Sequence, residues 1–162
     1  MMLNLLFSPY GRIRPDEFTK GAVVLLAINF FAWLAWFLSF EIGALVGFLS
    51  FTLIFCWFCL FAKRFRSVGR SPGFFIPVFF VFIFLMFIVT NIVSAFILPP
   101  DIVEKVAALQ EMRADPNPDL SAMTESLTEL MKDMAIPYSV GFFLAGTACA
   151  FGANRNLPAN TP

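Results

Sequence analysis

Four long stretches of this 162-residue chain contain no Asp, Glu, Lys or Arg, and that feature decides what the chain can fold into. They cover about 21–40 (GAVVLLAINFFAWLAWFLSF), 42–62, 74–98 (FFIPVFFVFIFLMFIVTNIVSAFIL) and 137–153. Each has roughly 17–25 residues, the length a helix rising ~1.5 Å per residue needs to cross a ~30 Å hydrocarbon layer. In lipid every backbone N–H and C=O must be satisfied inside the chain, which leaves helices or a closed barrel. The alternating pattern of barrel strands is missing. Composition agrees: 59% of residues are apolar and 14% charged, against roughly 45–50% and about 25% in soluble domains. The first stretch begins only after twenty residues, is too long for a signal-peptide core and lacks a small-residue cleavage site. It is therefore expected to stay in the mature protein.

The charges gather between the stretches. Glu41 alone separates the first two, so they are expected to form a tight helical hairpin. The next connection, KRFRSVGR, holds Lys63, Arg64, Arg66 and Arg70, four of the chain's 11 cations, with no acid. Arg12, Arg14 and Lys20 precede the first stretch, and Arg155 follows the last. The segment between the third and fourth, 99–136, holds eight acids and three bases. With four crossings, one side collects eight cations and the other three, and the basic side is expected to be cytoplasmic. The expected fold is an all-α integral membrane protein with four transmembrane helices, N-in and C-in. Its pieces are a cytoplasmic segment 1–20, a hairpin 21–62, a basic loop 63–73, spans 74–98 and 137–153, an acidic outer loop 99–136 and a tail 154–162. KRFRSVGR reads as a topological anchor meeting anionic headgroups, at about 1 kcal/mol per cation near the surface. Net charge is zero, so no overall field draws nucleic acid.

The outer loop carries its own pattern. It breaks at ADPNP, whose prolines no helix interior accepts. Ile102, Val106 and Leu109 recur at helical spacing before the break, and Leu120, Met123, Leu127, Leu130 and Met134 after it. Two short amphipathic helices are expected, the second capped by Asn117 with Pro118 at its first position. The stripe has three readings: lying on the membrane surface, docking a partner, or covering the ends of the protein's own spans.

No catalytic constellation emerges. Histidine is absent, which removes the commonest metal ligand and the one side chain titrating unperturbed near neutrality. Cys56 and Cys59 form a CxxC, but redox pairs sit in solvent reach at helix starts, and no second ligand pair completes a zinc site. They read as ordinary membrane-buried cysteines, as does Cys149. Gly43 and Gly47 make a GxxxG, and Gly141 with Ala145, and Gly146 with Ala150, repeat the spacing. Small residues four apart let helices approach closely, within one bundle or between copies. Asn29, Thr90, Asn91 and Ser94 are the main polar groups of the first and third stretches. A transport lane would call for intramembrane acids, bases or histidines. No cofactor is implied.

Two stretches together resemble a known family. Gly11-Arg12-Ile13-Arg14-Pro15-Asp16-Glu17-Phe18 fits a G-R-x-R-x-x-E-[F/Y] pattern before the first span, and Arg64-Phe65-Arg66-Ser67-Val68-Gly69-Arg70-Ser71 fits an R-L-H-D-x-G-R-S pattern after the second. Both are similar to motifs of the YhaH-like family of small bacterial inner-membrane proteins (domain of unknown function 805), over roughly residues 7–75. The tail, Gly152-Ala-Asn154-Arg155, resembles that family's Asn-rich ending. Arg66-Ser67 stands where the family has His-Asp, so a role built on that pair does not carry over. Thr19 replaces a usual aromatic, and the acidic outer loop is longer than is typical. The family has no settled biochemical role, so the resemblance implies a topology and a bacterial inner-membrane location. By the charge count both motifs share the cytoplasmic face, and Glu17 is expected to pair with Arg64, Arg66 or Arg70. The expected function is that of a non-catalytic accessory, structural or assembly subunit of a larger membrane complex, contacting lipid and other membrane subunits. The alternative is a component of an oligomeric channel or transporter.

Overall fold

The two outermost cations of the first motif precede a helix, and the proline after them starts it. In the computed structural model, which describes residues 2–114 and 119–157, α1 covers Met2–Phe7 and α2 Pro15–Leu34, extended by a 3-10 turn at Ala35–Phe37. Helix α3 spans Phe40–Ser67, and α4 spans Phe75–Ile97 after a 3-10 turn at Pro72–Phe74. Helices α5, Ile102–Ala114, and α6, Leu120–Asn156, complete the chain. No strand occurs among the described residues. Among the described residues four helices are long and apolar enough to cross a membrane: Pro15–Phe37, Phe40–Ser67, Pro72–Ile97 and Leu120–Asn156. The chain is an all-helical, multi-pass membrane protein.

Three boundaries differ from the sequence reading, each for a local reason. Helix α2 starts six residues before the first uncharged stretch, because Pro15 suits the first helical position and Glu17 caps it. Helix α3 runs on through Lys63–Ser67, so the first five residues of the expected basic loop, with three of its four cations, are the end of a helix. The second outer helix is not a separate short element. It is continuous with the fourth span in α6, 37 residues long with Pro137 in its interior. At ~1.5 Å per residue α6 reaches about 55 Å, well beyond a ~30 Å hydrocarbon layer. The cap expected at Asn117 with Pro118 lies outside the described residues. The observed N-cap is Asp119, whose carboxylate accepts the backbone N–H groups of Ser121 (2.9 Å) and Ala122 (3.3 Å). The Ser121 hydroxyl, which also donates to that carboxylate at 2.6 Å, and then those two N–H groups hold the Asp119 carboxyl below its ordinary range.

Helix α6 packs against both α2 and α4, and α2 packs against α3, whereas α3 and α4 scarcely touch. Small residues permit the close approaches. A β-carbon on Gly146 would fall 2.6 Å from Leu26 of α2, and one on Gly141 would strike Thr90 of α4, 3.3 Å from its Cα. Ala145 and Ala150 are buried. At Gly43 a β-carbon would lie 2.5 Å from the Trp36 ring, while Gly47 faces open space except for Trp36 at 4.0 Å. Inside lipid such contacts stabilise by dispersion and shape, since the solvent is itself apolar.

The core is concentrated at one end. Phe18, Ala22 and Leu25 of α2, Cys56, Leu60 and Phe61 of α3 and Ala150 of α6 are buried together with Leu6 of α1. Phe18 meets Phe61 edge to face at 5.1 Å. This is the end where α2 begins and α3 and α6 finish, so it receives nearly all of the motif residues.

Candidate functional site

The first motif is a chain turn followed by a helix start. Gly11 sits at φ +101°, a conformation that L side chains rarely adopt. The backbone N–H of Arg14 donates to the Glu17 carboxylate at 2.9 Å, so Glu17 is a capping carboxylate three residues into α2. The arginine side chain has no acceptor with which to complete the reciprocal half of that cap. Arg12 and Arg14 are exposed, and Arg14 makes a 3.7 Å ion pair with Asp16 in solvent. Phe18 is 1% exposed and forms the floor of the site.

The second motif is a helix end. The Gly69 N–H donates to the Arg66 carbonyl (3.1 Å) and the Arg70 N–H to the Phe65 carbonyl (2.9 Å). With Gly69 at φ +74°, this is a Schellman stop, which satisfies two of the carbonyls that a helix end leaves unpaired. Ser71 then caps the 3-10 turn that leads into α4.

Between stop and start, the cations turn inward. Lys63 is 4% and Arg64 1% exposed, which corrects the expectation that they reach lipid headgroups. Each has a better acceptor inside. The Lys63 ammonium donates to the carbonyls of Asn4 and of Leu5, the latter at 3.0 Å. Both belong to the last turn of α1, where cations suit the unpaired carbonyls. The Arg64 Nε–H donates to Asn154 Oδ1 at 2.7 Å, a short, charge-assisted bond. The Asn154 amide in turn donates to the Pro15 carbonyl (3.2 Å) and the Thr19 hydroxyl (3.3 Å). Arg66 donates to the Pro9 carbonyl and lies 5.7 Å from the centre of the Tyr10 ring. Arg70 is exposed and lies 5.3 Å from the centre of the Phe74 ring.

The expected ion pair between Glu17 and Arg64, Arg66 or Arg70 is not among the ion pairs of the described residues. Glu17 spends its carboxylate on the α2 cap. The result is a polar knot joining α1, the start of α2 and the ends of α3 and α6. Asn154, Thr19 and the carbonyls of Asn4, Leu5 and Pro9 are the members that motif reading passes over. The one sequence signal for Asn154 is the likeness of the tail to an Asn-rich ending.

At the opposite end, α5 is pinned to α6. Lys105 donates to Asp133 at 2.8 Å and lies 3.6 Å from Asp101. The Asp133 contact pushes the Lys105 ammonium above the usual lysine range. Leu120 is 68% exposed, while Met123, Leu127, Leu130 and Met134 are half-buried along α6. Among the described residues no cluster of three or more His, Cys, Asp or Glu is placed to hold a metal. No family model, curated protein or solved structure matches the chain.

Proposed function

We propose that this chain is a non-catalytic accessory or assembly subunit of the bacterial inner membrane that docks a partner through its outer hairpin, α5 with the first half of α6. One observation carries the reading: α6 continues about 25 Å past the apolar half that begins at Pro137, at ~1.5 Å per residue, and α5 is braced on it by the Lys105–Asp133 pair. A protruding hairpin with exposed apolar residues at both ends, Leu120 at its tip at 68% exposure and Val103 at its base at 72%, has the form of a docking element. The knot at the other end supports the same reading, since its buried cations fasten helices together and line no lane.

The basic end, with both chain ends, faces the cytoplasm, following the eight-to-three distribution of Lys and Arg. Membership in the YhaH-like family is part of this proposal. It draws support from the two motifs meeting at one end with Asn154. The test is photo-crosslinking from an unnatural residue at Met123 in native membranes. A discrete heavier adduct that disappears with Leu127→Lys supports docking. A chain that runs only as free monomer, with the crosslinker active, ends the proposal.

A further inference from the structure

Helices α3 and α4 follow one another in sequence yet hardly pack, because α3 packs on α2 and α4 on α6. The space left between them is an apolar cleft of about 470 Å³. Trp57 and Phe61 of α3 form one wall, and Phe75, Phe79 and Phe82 of α4 the other, with Phe142 of α6 behind. The amide and hydroxyl at the cleft face their own helices: Asn29 donates to the Leu25 carbonyl and Ser50 to the Val46 carbonyl, each at 2.9 Å.

Size selects the occupant. Along α3 the cleft runs from Gly47 to Phe61, about 21 Å at ~1.5 Å per residue. A helix ~10 Å wide over that length displaces about 1,600 Å³, so the cleft would take in only part of a partner's span or of a second copy's. A single alkyl chain, about 4.5 Å wide at ordinary carbon–carbon contact, displaces about 330 Å³. The length also exceeds the ~15 Å that one leaflet of a ~30 Å core supplies, so a whole lipid chain is housed.

Charge sets its direction. From the cleft a ladder of rings leads to the basic end: Phe75 to Phe61 (5.7 Å), Phe61 to Phe65 (5.8 Å) and Phe65 to Phe74 (6.0 Å). Arg70 covers Phe74. Its guanidinium is exposed and has no carboxylate in ion-pair range among the described residues. The opposite end of α3 begins with an acid, Glu41. We propose that the α3–α4 cleft binds one chain of an anionic phospholipid, with the phosphate at Arg70. Met131 is where the outer hairpin borders the cleft; Arg70 and Ser50, varied below, lie outside the hairpin.

All three tryptophans of the chain, Trp33, Trp36 and Trp57, line the cleft, so their fluorescence reports its occupancy. The full-length protein in phosphatidylcholine vesicles is titrated with brominated-chain phosphatidylglycerol or brominated-chain phosphatidylcholine. Expected is saturable quenching at a severalfold lower mole fraction of the anionic lipid. Arg70→Gln, on an exposed side chain, weakens that preference about fivefold, equivalent to ~1 kcal/mol. Ser50→Phe, with unchanged helical circular dichroism, removes the saturable component by filling the cleft. Identical curves for the two lipids, or quenching indifferent to both substitutions, overturn the proposal. Crosslinking from Met123 should be unaffected by either variant, which separates failure of this site from failure of the docking reading.

Discussion

Replacing Asn154 with alanine tests the knot where it is most concentrated. The substitution removes the 2.7 Å acceptor of the Arg64 Nε–H and two amide donations, to Pro15 and Thr19. The last two matter less, because the Thr19 hydroxyl still donates to the Pro15 carbonyl at 2.9 Å. The loss is therefore dominated by the charged donor. A hydrogen bond to a charged group contributes about 1.5–3 kcal/mol, and Arg64 at 1% exposure has little water to replace its partner. A destabilisation of about 2 kcal/mol is expected, above the ~0.6 kcal/mol average for polar pairs between membrane helices. Reversible unfolding by sodium dodecyl sulfate in mixed micelles, followed by circular dichroism, measures it. A double-mutant cycle with Arg64→Met should return a coupling of about 1.5 kcal/mol or more. Additive single effects would show that Asn154 and Arg64 act separately and would refute the knot.

Three further outcomes follow from the same geometry. Gly69→Ala meets no atom within 4 Å, so its cost is the left-handed backbone alone, about 1–2 kcal/mol by the same unfolding assay. Gly141→Ala instead drives a β-carbon into Thr90, close to its backbone, and should cost about 1–3 kcal/mol as overpacking while loosening α6 from α4. The folded Lys105 ammonium titrates above its ordinary 10.5. The pair with Asp133 is therefore at full strength below pH 10.5 and is lost as pH rises through the raised value. Spin-label distances between α5 and α6 should stay constant up to that pH and widen beyond it. Asp133→Asn should show the widened distance already at neutral pH.

The four helices of membrane-crossing length were legible because an uncharged run of bilayer length that lacks strand alternation points to helix. The glycines were legible as motif members, but their reason was not: Gly11 and Gly69 serve turns whose positive φ no periodicity records. Lys63 and Arg64 were read as exposed anchors because sequence shows which charges are near a membrane face and not which acceptors the fold brings to them. Those acceptors are backbone carbonyls of α1 and an amide 90 residues away. The continuity of α6 was hidden by its charges, which put the residues before 137 in the acidic loop and those after in the span, although Pro137 is buried inside one unbroken helix. The α3–α4 cleft arises from helix order, a tertiary property that no local pattern encodes.

The inward turn of the cations is tested most directly by amine acylation of the folded protein in detergent with a water-soluble reagent, read site by site by mass spectrometry. Lys20, exposed near the start of α2, serves as the reference at the same end of the molecule. Lys63, at 4% exposure, is expected to stay unmodified while Lys20 reacts, and to react only after unfolding. Equal rates at the two lysines in the folded state would contradict the burial on which the knot depends.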